Sequence, residues 1–430
     1  MPLCLAATSD AIANAVYVPV GKAKTRKTII AIPAIKPLKI SPGQDSILTN
    51  IHKKLIDNLT FVDLFRFISP KAFIENTFKA GVAPGEFNYA NWTAIQTDFL
   101  IKVSVGIDGN TLNLSGYLYD VKGQKPILSR NYVGRVADSG DIANTFSNHI
   151  VETLTGLPGI FNTKILASCE KNGRKEIYVM NFDGSATRQI TKHQSIAFSP
   201  AWHPDGNKFA YSLYVTKSNN QKNINLYEYN FDNNQVRLLS NRRGINSGST
   251  YSPDGKNIAL TMSFLGNPEI FLLNTSSRSV ERMTKSFGFD VDPMFSPDGR
   301  WLTYSSNRSG APMIFRQLLS GGKVDRLTYV GRYNATPAWS PQNNKIAFAS
   351  WIDNRFDLFI MNPDGTNIER LTKNQGSNED PDFSADGQFI VFSSNRTKTK
   401  NIYVMNIDGT FVRRLTYGLG NCVSPKWSRK

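Results

Sequence analysis

The sequence predicts a mostly β protein, a six-bladed β-propeller preceded by a small α/β (α+β) domain. Three observations carry this. A hairpin written 295-FSPDGRWLTYSSNRSG-310 returns with small changes at 201-AWHPDGNKFAYSLY-214, 250-TYSPDGKNIALTMSFLG-266, 338-AWSPQNNKIAFASWIDN-354 and 383-FSADGQFIVFSSNRT-397. An apolar-aromatic pair opens a further strand at Ile177-Tyr178, Leu226-Tyr227, Ile270-Phe271, Ile314-Phe315, Leu358-Phe359 and Ile402-Tyr403, with steps of 49, 44, 44, 44 and 44 residues. The array is also out of phase with the chain ends: 425-PKWSRK-430 supplies a first strand with no successors, and 164-KILASC-169 a second strand with no predecessor. A repeat of this length built from four short antiparallel strands is the signature of a propeller blade, whose faces are buried only by stacking around an axis. Five whole units and one shared between the two ends make six blades over residues 162–430, and the shared one leaves no open edge.

Residues 16–156 read differently. An extended run, 28-TIIAIPAI-35, precedes a helix at 45-DSILTNIHKKLIDNL-59, where apolar residues recur three or four apart. Strands follow at 98-DFLIKVSVGI-107, 111-TLNLSGYLYDV-121 and 127-ILSRNYVGRV-136, and then a helix at 140-GDIANTFSNHIVETLTG-156. Residues 1–15, with Ala13-x-Ala15 as a small-residue cleavage pattern but no Lys or Arg, read as the remnant of a signal peptide. No run approaches the roughly 18 apolar residues of a membrane helix.

The junction 154-LTGLPGIFNTKIL-166, the Pro-x-Trp-Ser-Pro-Asp-Gly repeats and the order of the two domains resemble the TolB family, the periplasmic component of the Tol–Pal system. The resemblance covers nearly the whole chain. It implies a monomeric, non-enzymatic adaptor in the periplasm, without a cofactor. Its propeller would bind a Pal-type peptidoglycan-associated lipoprotein, and its N-terminal segment a TolA-type inner-membrane protein, for outer-membrane integrity and constriction at cell division. The blade motif alone is shared with tricorn-type and prolyl-oligopeptidase propellers, so an accessory propeller of a peptidase system is the alternative. A carbohydrate-binding propeller is a third.

Other chemistry finds little support. His52, His149, His193 and His203 form no His-Glu-x-x-His, no Cys-x-x-Cys is present, and no Gly-x-Ser-x-Gly marks a hydrolase nucleophile. A cation site from Asp290, Asp292, Glu379, Asp380 and Asp382 matches no loop motif; Asp292 and Asp380 precede Pro and read as turn caps. The net charge of +16 invites a nucleic-acid reading. The periodic Arg237, Arg282, Arg326, Arg370 and Arg414 argue against it, because they read as a solvated rim beside each outermost strand.

What remains is a binding surface. Trp202, Tyr251, Phe295, Trp339, Phe383 and Trp427 share one innermost-strand slot and read as framework. The loops leading into that strand do not repeat, and function concentrates in loops on a rigid scaffold. The candidates there are His193, Arg243, Asn246, Phe287, Phe289, Asp290, Asp292, Arg332, Tyr333, Asn334, Glu379 and Asp380, with Arg308 and Arg396 from adjacent second-strand loops. Each also has the plainer reading of an incidental loop residue. Val16, Tyr17, Val18 and Val20 are the candidates in the N-terminal segment, where alternating valines suit strand addition to a partner's sheet. Pairing Ser428 with Lys164 puts Cys169 opposite Val423 and diagonal to Cys422, so the expectation is two unbonded cysteines, with a disulfide as the alternative.

Overall fold

A continuous apolar strand and an alternating one stand side by side in the first unit, and they mark its layers. In the computed structural model, which describes residues 26–39, 44–77, 79–216, 220–342 and 344–430, the chain divides into two compact units, Met1–Phe161 and Asn162–Lys430. The expected leader and the candidates Val16, Tyr17, Val18 and Val20 lie outside the described residues. The first unit contains β1 (Thr28–Ala31), β2 (Lys36–Pro37), α1 (Asp45–Phe61), β3 (Phe65–Phe67), α2 (Tyr89–Thr93), β4 (Phe99–Asp108), β5 (Thr111–Asp120), β6 (Lys125–Arg135) and α3 (Ser139–Thr155). Its sheet runs β3-β1-β4-β5-β6, with β2 beside β4. Strand β4 is buried along nearly its whole length, as a strand covered on both faces must be, whereas β5 alternates. The one buried charge of β4, Lys102, is ion-paired with Glu75, whose other oxygen accepts from Trp92 Nε1 at 3.1 Å. Phe146 of α3 lies on Gly116 of β5, where a methyl group would stand 2.5 Å from the ring.

The second unit is six four-stranded antiparallel sheets, each in chain order from the axis outward, here called strands a to d. Blades 1 to 5 begin with a strands Ala197–Trp202, Asn246–Tyr251, Asp290–Phe295, Asn334–Trp339 and Asn378–Phe383. The closing blade orders Asn421–Trp427, Lys164–Lys171, Arg174–Asn181 and Arg188–Gln189, so both ends of the unit build one sheet.

The recurring Ser-Pro-Asp-Gly has a local cause. In blade 3 the Ser296 hydroxyl donates to Asp298 Oδ1 at 2.5 Å and accepts from Trp301 N at 2.9 Å, while the same carboxylate accepts from Arg300 N at 3.0 Å. The side chains thus close the a–b turn and start strand b in register. The aromatic slot above it is buried at Trp339, Trp427, Tyr251, Phe295 and Phe383. Trp202 Nε1 donates to Lys426 O at 2.9 Å and Trp339 Nε1 to Thr303 Oγ1 at 3.0 Å, each across to the preceding blade.

Every a strand carries a bulge at the same place. Register shifts fall between Phe198 and Ala201, Ser247 and Thr250, Val291 and Met294, Ala335 and Ala338, Glu379 and Asp382, and Val423 and Lys426. Within each, one residue takes a left-handed conformation: Ser199, Gly248, Asp292, Thr336, Asp380 or Ser424, with φ between 47 and 60°. Asp292 and Asp380 are therefore bulge residues inside a strand, not turn caps.

The bulge also corrects the cysteine expectation. Lys426 faces Leu166, as simple pairing requires, but the extra residue at Ser424 moves the register by one and sets Cys422 opposite Cys169. The two are bonded, with Cα atoms 4.0 Å apart across a sequence separation of 253.

The periodic arginines are corrected as well. Arg237 reaches Glu228 at 2.8 Å, Arg282 reaches Glu269 at 2.6 Å, Arg370 reaches Asp357 at 2.5 Å and Arg414 reaches Asn401 Oδ1 at 2.9 Å, while Arg326 Nε donates to Thr328 O at 2.8 Å. They are clamps between strands d and c or within strand d, not a free rim.

Candidate functional site

The six a strands surround a channel with a cavity volume of about 680 Å³, walled from the bulge residues through the aromatic slot to the a–b turns. Loops entering the a strands and the b–c loops share the other end of these strands. Asn267 Nδ2 donates to Phe287 O at 3.0 Å and fixes these two loop types together between blades 2 and 3.

The sequence candidates separate into three groups by burial. Asn246, Asp290 and Asn334 are fully buried, and the expectation that they contact a partner is corrected. They share one slot, five residues before the aromatic of strand a, with Asn378 and Cys422 at the same repeat position. Asn246 Nδ2 donates to Arg242 O at 2.7 Å and its Oδ1 accepts from Ser240 Oγ at 2.7 Å; Asn334 Nδ2 donates to Val330 O at 2.8 Å. At Asn246 the slot ties strand a to the entering loop and to the preceding blade, whose Ile224 O accepts from Nδ2 at 2.8 Å, and in the closing blade the disulfide stands in its place.

Arg308 and Arg396 belong to the same apparatus. Arg308 forms a two-pronged bond to Asp290 at 3.0 and 2.9 Å and lies over Tyr304 and Phe315; Arg396 donates to Asn378 Oδ1 at 2.9 Å and lies over Phe392 and Tyr403. His193 is half-buried with Nε2 2.7 Å from Tyr211 Oη, and burial pulls its pKa down against the opposing pull of Glu176. Glu379 accepts from Lys400 Nζ at 3.0 Å.

The third group reaches solvent. Phe287 is fully exposed at 106%, Leu265 beside it in the b–c loop is 56% exposed, and Tyr333 is 37% exposed. Arg243 and Arg332 are exposed, and Phe289 is half-buried. Sequence reading missed Leu265, whose loop stands next to the loops that enter strand a only once the blade is folded.

Asp292 and Asp380 face the channel. Burial chiefly, and then the Asp380 carboxylate, push the Asp292 carboxyl up to about 6, with Lys426 opposing. Asp380 is raised by burial and by Glu379. Its Oδ2 accepts from Ser424 N at 3.0 Å. The conceivable carboxylate cluster is dispersed: Asp290 is held by Arg308, Glu379 by Lys400, and Asp382 accepts from Trp427 N at 2.8 Å. Among the described residues no three His, Cys, Asp or Glu stand together as a metal site.

Comparison with known proteins accords with this architecture. The family profile described as TolB beta propeller domain matches residues 151–351 and 333–430, and that described as TolB amino-terminal domain matches 16–127. A Tol-Pal system protein TolB from Desulfosudis oleivorans is 35% identical over 282 residues, 66% of this chain and 63% of that relative's length. One from Geobacter metallireducens is 39% identical over 127 residues, 30% of each chain. These matches thus span less than two thirds of the relatives' own lengths. The crystal structure of TolB from Acinetobacter baumannii shares the fold at a TM-score of 0.81 and 24% identity, covering 96% of this chain and 100% of that one.

Proposed function

Since the chain belongs to the TolB family, we propose that it is a non-enzymatic periplasmic adaptor of the Tol–Pal envelope system. The propeller holds a Pal-type lipoprotein at the loop-ringed mouth of its channel. The N-terminal segment, beginning with Val16, Tyr17, Val18 and Val20, holds a TolA-type inner-membrane protein. Through both, the adaptor serves outer-membrane integrity and constriction at cell division. The observation that carries the reading is the fully exposed Phe287 together with exposed Leu265 and Tyr333 among the loops of this face. Aromatic and arginine side chains dominate the energetics of protein interfaces, and this mouth presents Phe287, Tyr333, Arg243 and Arg332. Support for the compartment comes from the Cys169–Cys422 disulfide, since such bonds form and persist in oxidising surroundings. Among the described residues no helix is long and apolar enough to cross a membrane.

Calorimetry with the full chain and the purified periplasmic domain of a Pal-type lipoprotein tests this. Changing Phe287 and Tyr333 together to Ala is expected to weaken binding at least about tenfold, as loss of a hot spot does, with the melting transition unchanged. Trp339→Ala is expected to do the converse, costing about 3–5 kcal/mol of stability. Wild-type affinity in the double variant places the interface elsewhere.

A further inference from the structure

The repeat is broken at one point of the channel wall, and unsatisfied polar groups gather there. Five bulge residues are followed by Pro200, Pro293, Pro337, Pro381 and Pro425; blade 2 instead has Gly248-Ser249. A methyl group on Gly248 would stand 3.1 Å from Asp292 Oδ1 and 3.5 Å from Thr261 Oγ1, so the missing side chain leaves room beside the Asp292 carboxylate.

Two blades further on, the same positions are filled and satisfied. Asp380 accepts from Ser424 N at 3.0 Å, and the Ser424 and Ser393 hydroxyls both lie 3.4 Å from its Oδ2. The repeat equivalents around Asp292 are Thr336 and Ser305, and neither hydroxyl has a hydrogen-bond partner among the described residues. Ser249 Oγ and Thr261 Oγ1 are likewise without partners. Ser305 is fully buried, Thr261 is 3% exposed and Ser249 is 7% exposed. Native interiors satisfy nearly all such groups, so several orphans around one carboxylate point to a guest that satisfies them.

The chemistry of the guest follows from the wall. A carboxylate is acceptor-only, and hydroxyl oxygens add further acceptors around it. Of the cations that line the channel, Lys426 has its Nζ 3.9 Å from Asp382 Oδ1 and Arg429 Nη1 donates to Phe383 O at 3.3 Å, while Lys430 stands at the a–b turn end. A divalent metal wants several carboxylates, which this point does not supply. A guanidinium offers five N–H donors in a planar fork, is weakly hydrated, and suits one carboxylate flanked by hydroxyls. Asp292 stands at the inner end of the cavity, which runs from the bulge residues past the aromatic slot to the a–b turns at His203, Asp254 and Pro297.

We propose that the channel wall formed by Ser249, Thr261, Asp292, Ser305 and Thr336 is a receptor for an arginine side chain of a partner polypeptide that enters the channel. The proposal rests on the reading of the propeller as a docking module, yet the site is measurable without the lipoprotein.

The probes are N-acetylated, C-amidated Gly-Gly-Arg-Gly-Gly and its citrulline counterpart, which keeps the shape and loses the charge. They are titrated against the full chain and followed by tryptophan fluorescence, since Trp202, Trp339 and Trp427 line the channel. The arginine peptide is expected to bind at least tenfold tighter than the citrulline peptide, and D292N to lose at least tenfold in affinity for it. T336V is expected to lose several-fold, and it decides together with the citrulline comparison if D292N does not fold. Equal binding of the two peptides, unchanged affinity in folded D292N, or a response to calcium chloride with none to the arginine peptide overturns the proposal. Because no lipoprotein takes part, failure here is separable from failure of the docking experiment.

Discussion

Asp292 and Asp380 occupy one repeat position two blades apart, and their surroundings differ in kind. Asp380 is bonded by the next blade's bulge, whereas Asp292 faces Gly248 and the channel. Burial raises the Asp292 carboxyl to about 6, above the ordinary carboxylate value of about 3.9. The folded chain then holds this proton more tightly than the unfolded chain does. Its contribution favours folding below about pH 4 and is lost as pH rises through about 6. Asp292→Asn is therefore expected to stabilise the protein at pH 7.5, by at most about 3 kcal/mol at 1.36 kcal/mol per pKa unit, and to change little at pH 4. Denaturant titration at the two pH values checks this; an equal effect at both would show that Asp292 ionises normally. The same residue then trades stability for an open carboxylate, as binding sites do.

At the scale of the strand, one slot explains both a success and a failure of sequence reading. Asn246, Asp290, Asn334 and Asn378 look like loop residues because polar letters suggest exposure, and nothing local says that blade packing will cover them. The signal was periodic: four polar residues at 44-residue spacing, with Cys422 next in the series. The bulge hid the disulfide in the same way, since the left-handed residue before proline shifts the register without leaving a distinctive local pattern. By contrast, the Ser-Pro-Asp-Gly turns were legible, because their geometry is fixed by neighbouring side chains. Replacing Cys169 and Cys422 together by Ala is expected to lower stability by an amount on the order of 5 kcal/mol in the chain-entropy account, for a loop of this length. Chemical denaturation of the oxidised wild type and the double variant measures it. Coincident midpoints would mean that strand pairing alone holds the ring shut.

At the scale of the molecule, the number of blades and the sharing of one of them between the two ends were legible from the 44-residue period. The binding face was legible only as a ring of dissimilar loops. Which members are clamped depends on contacts 18 residues apart, and although Arg308 with Asp290 returns as Arg396 with Asn378, the letters alone do not say that these side chains meet. If the two partners use separate parts of the chain, removing residues 16–22 is expected to abolish binding of a TolA-type domain. Lipoprotein affinity and the melting transition should stay as they were. Surface-plasmon measurements with each partner in turn test this, and retained TolA-type binding would move that contact into the folded units.

The sheet shared by both ends has a kinetic consequence. Strand Lys164–Lys171 carries an unpaired inner edge until Asn421–Trp427 has been made, since that strand is its neighbour. Its mate stands across a sequence separation of 253, a loop that must close before the edge is covered. Such an edge is a template for wrong pairing, and contacts this distant in sequence are slow to form. Docking of Asn421–Trp427 thus ends this edge's exposure to wrong pairing, and a chaperone that shields extended polypeptide would have its longest task there.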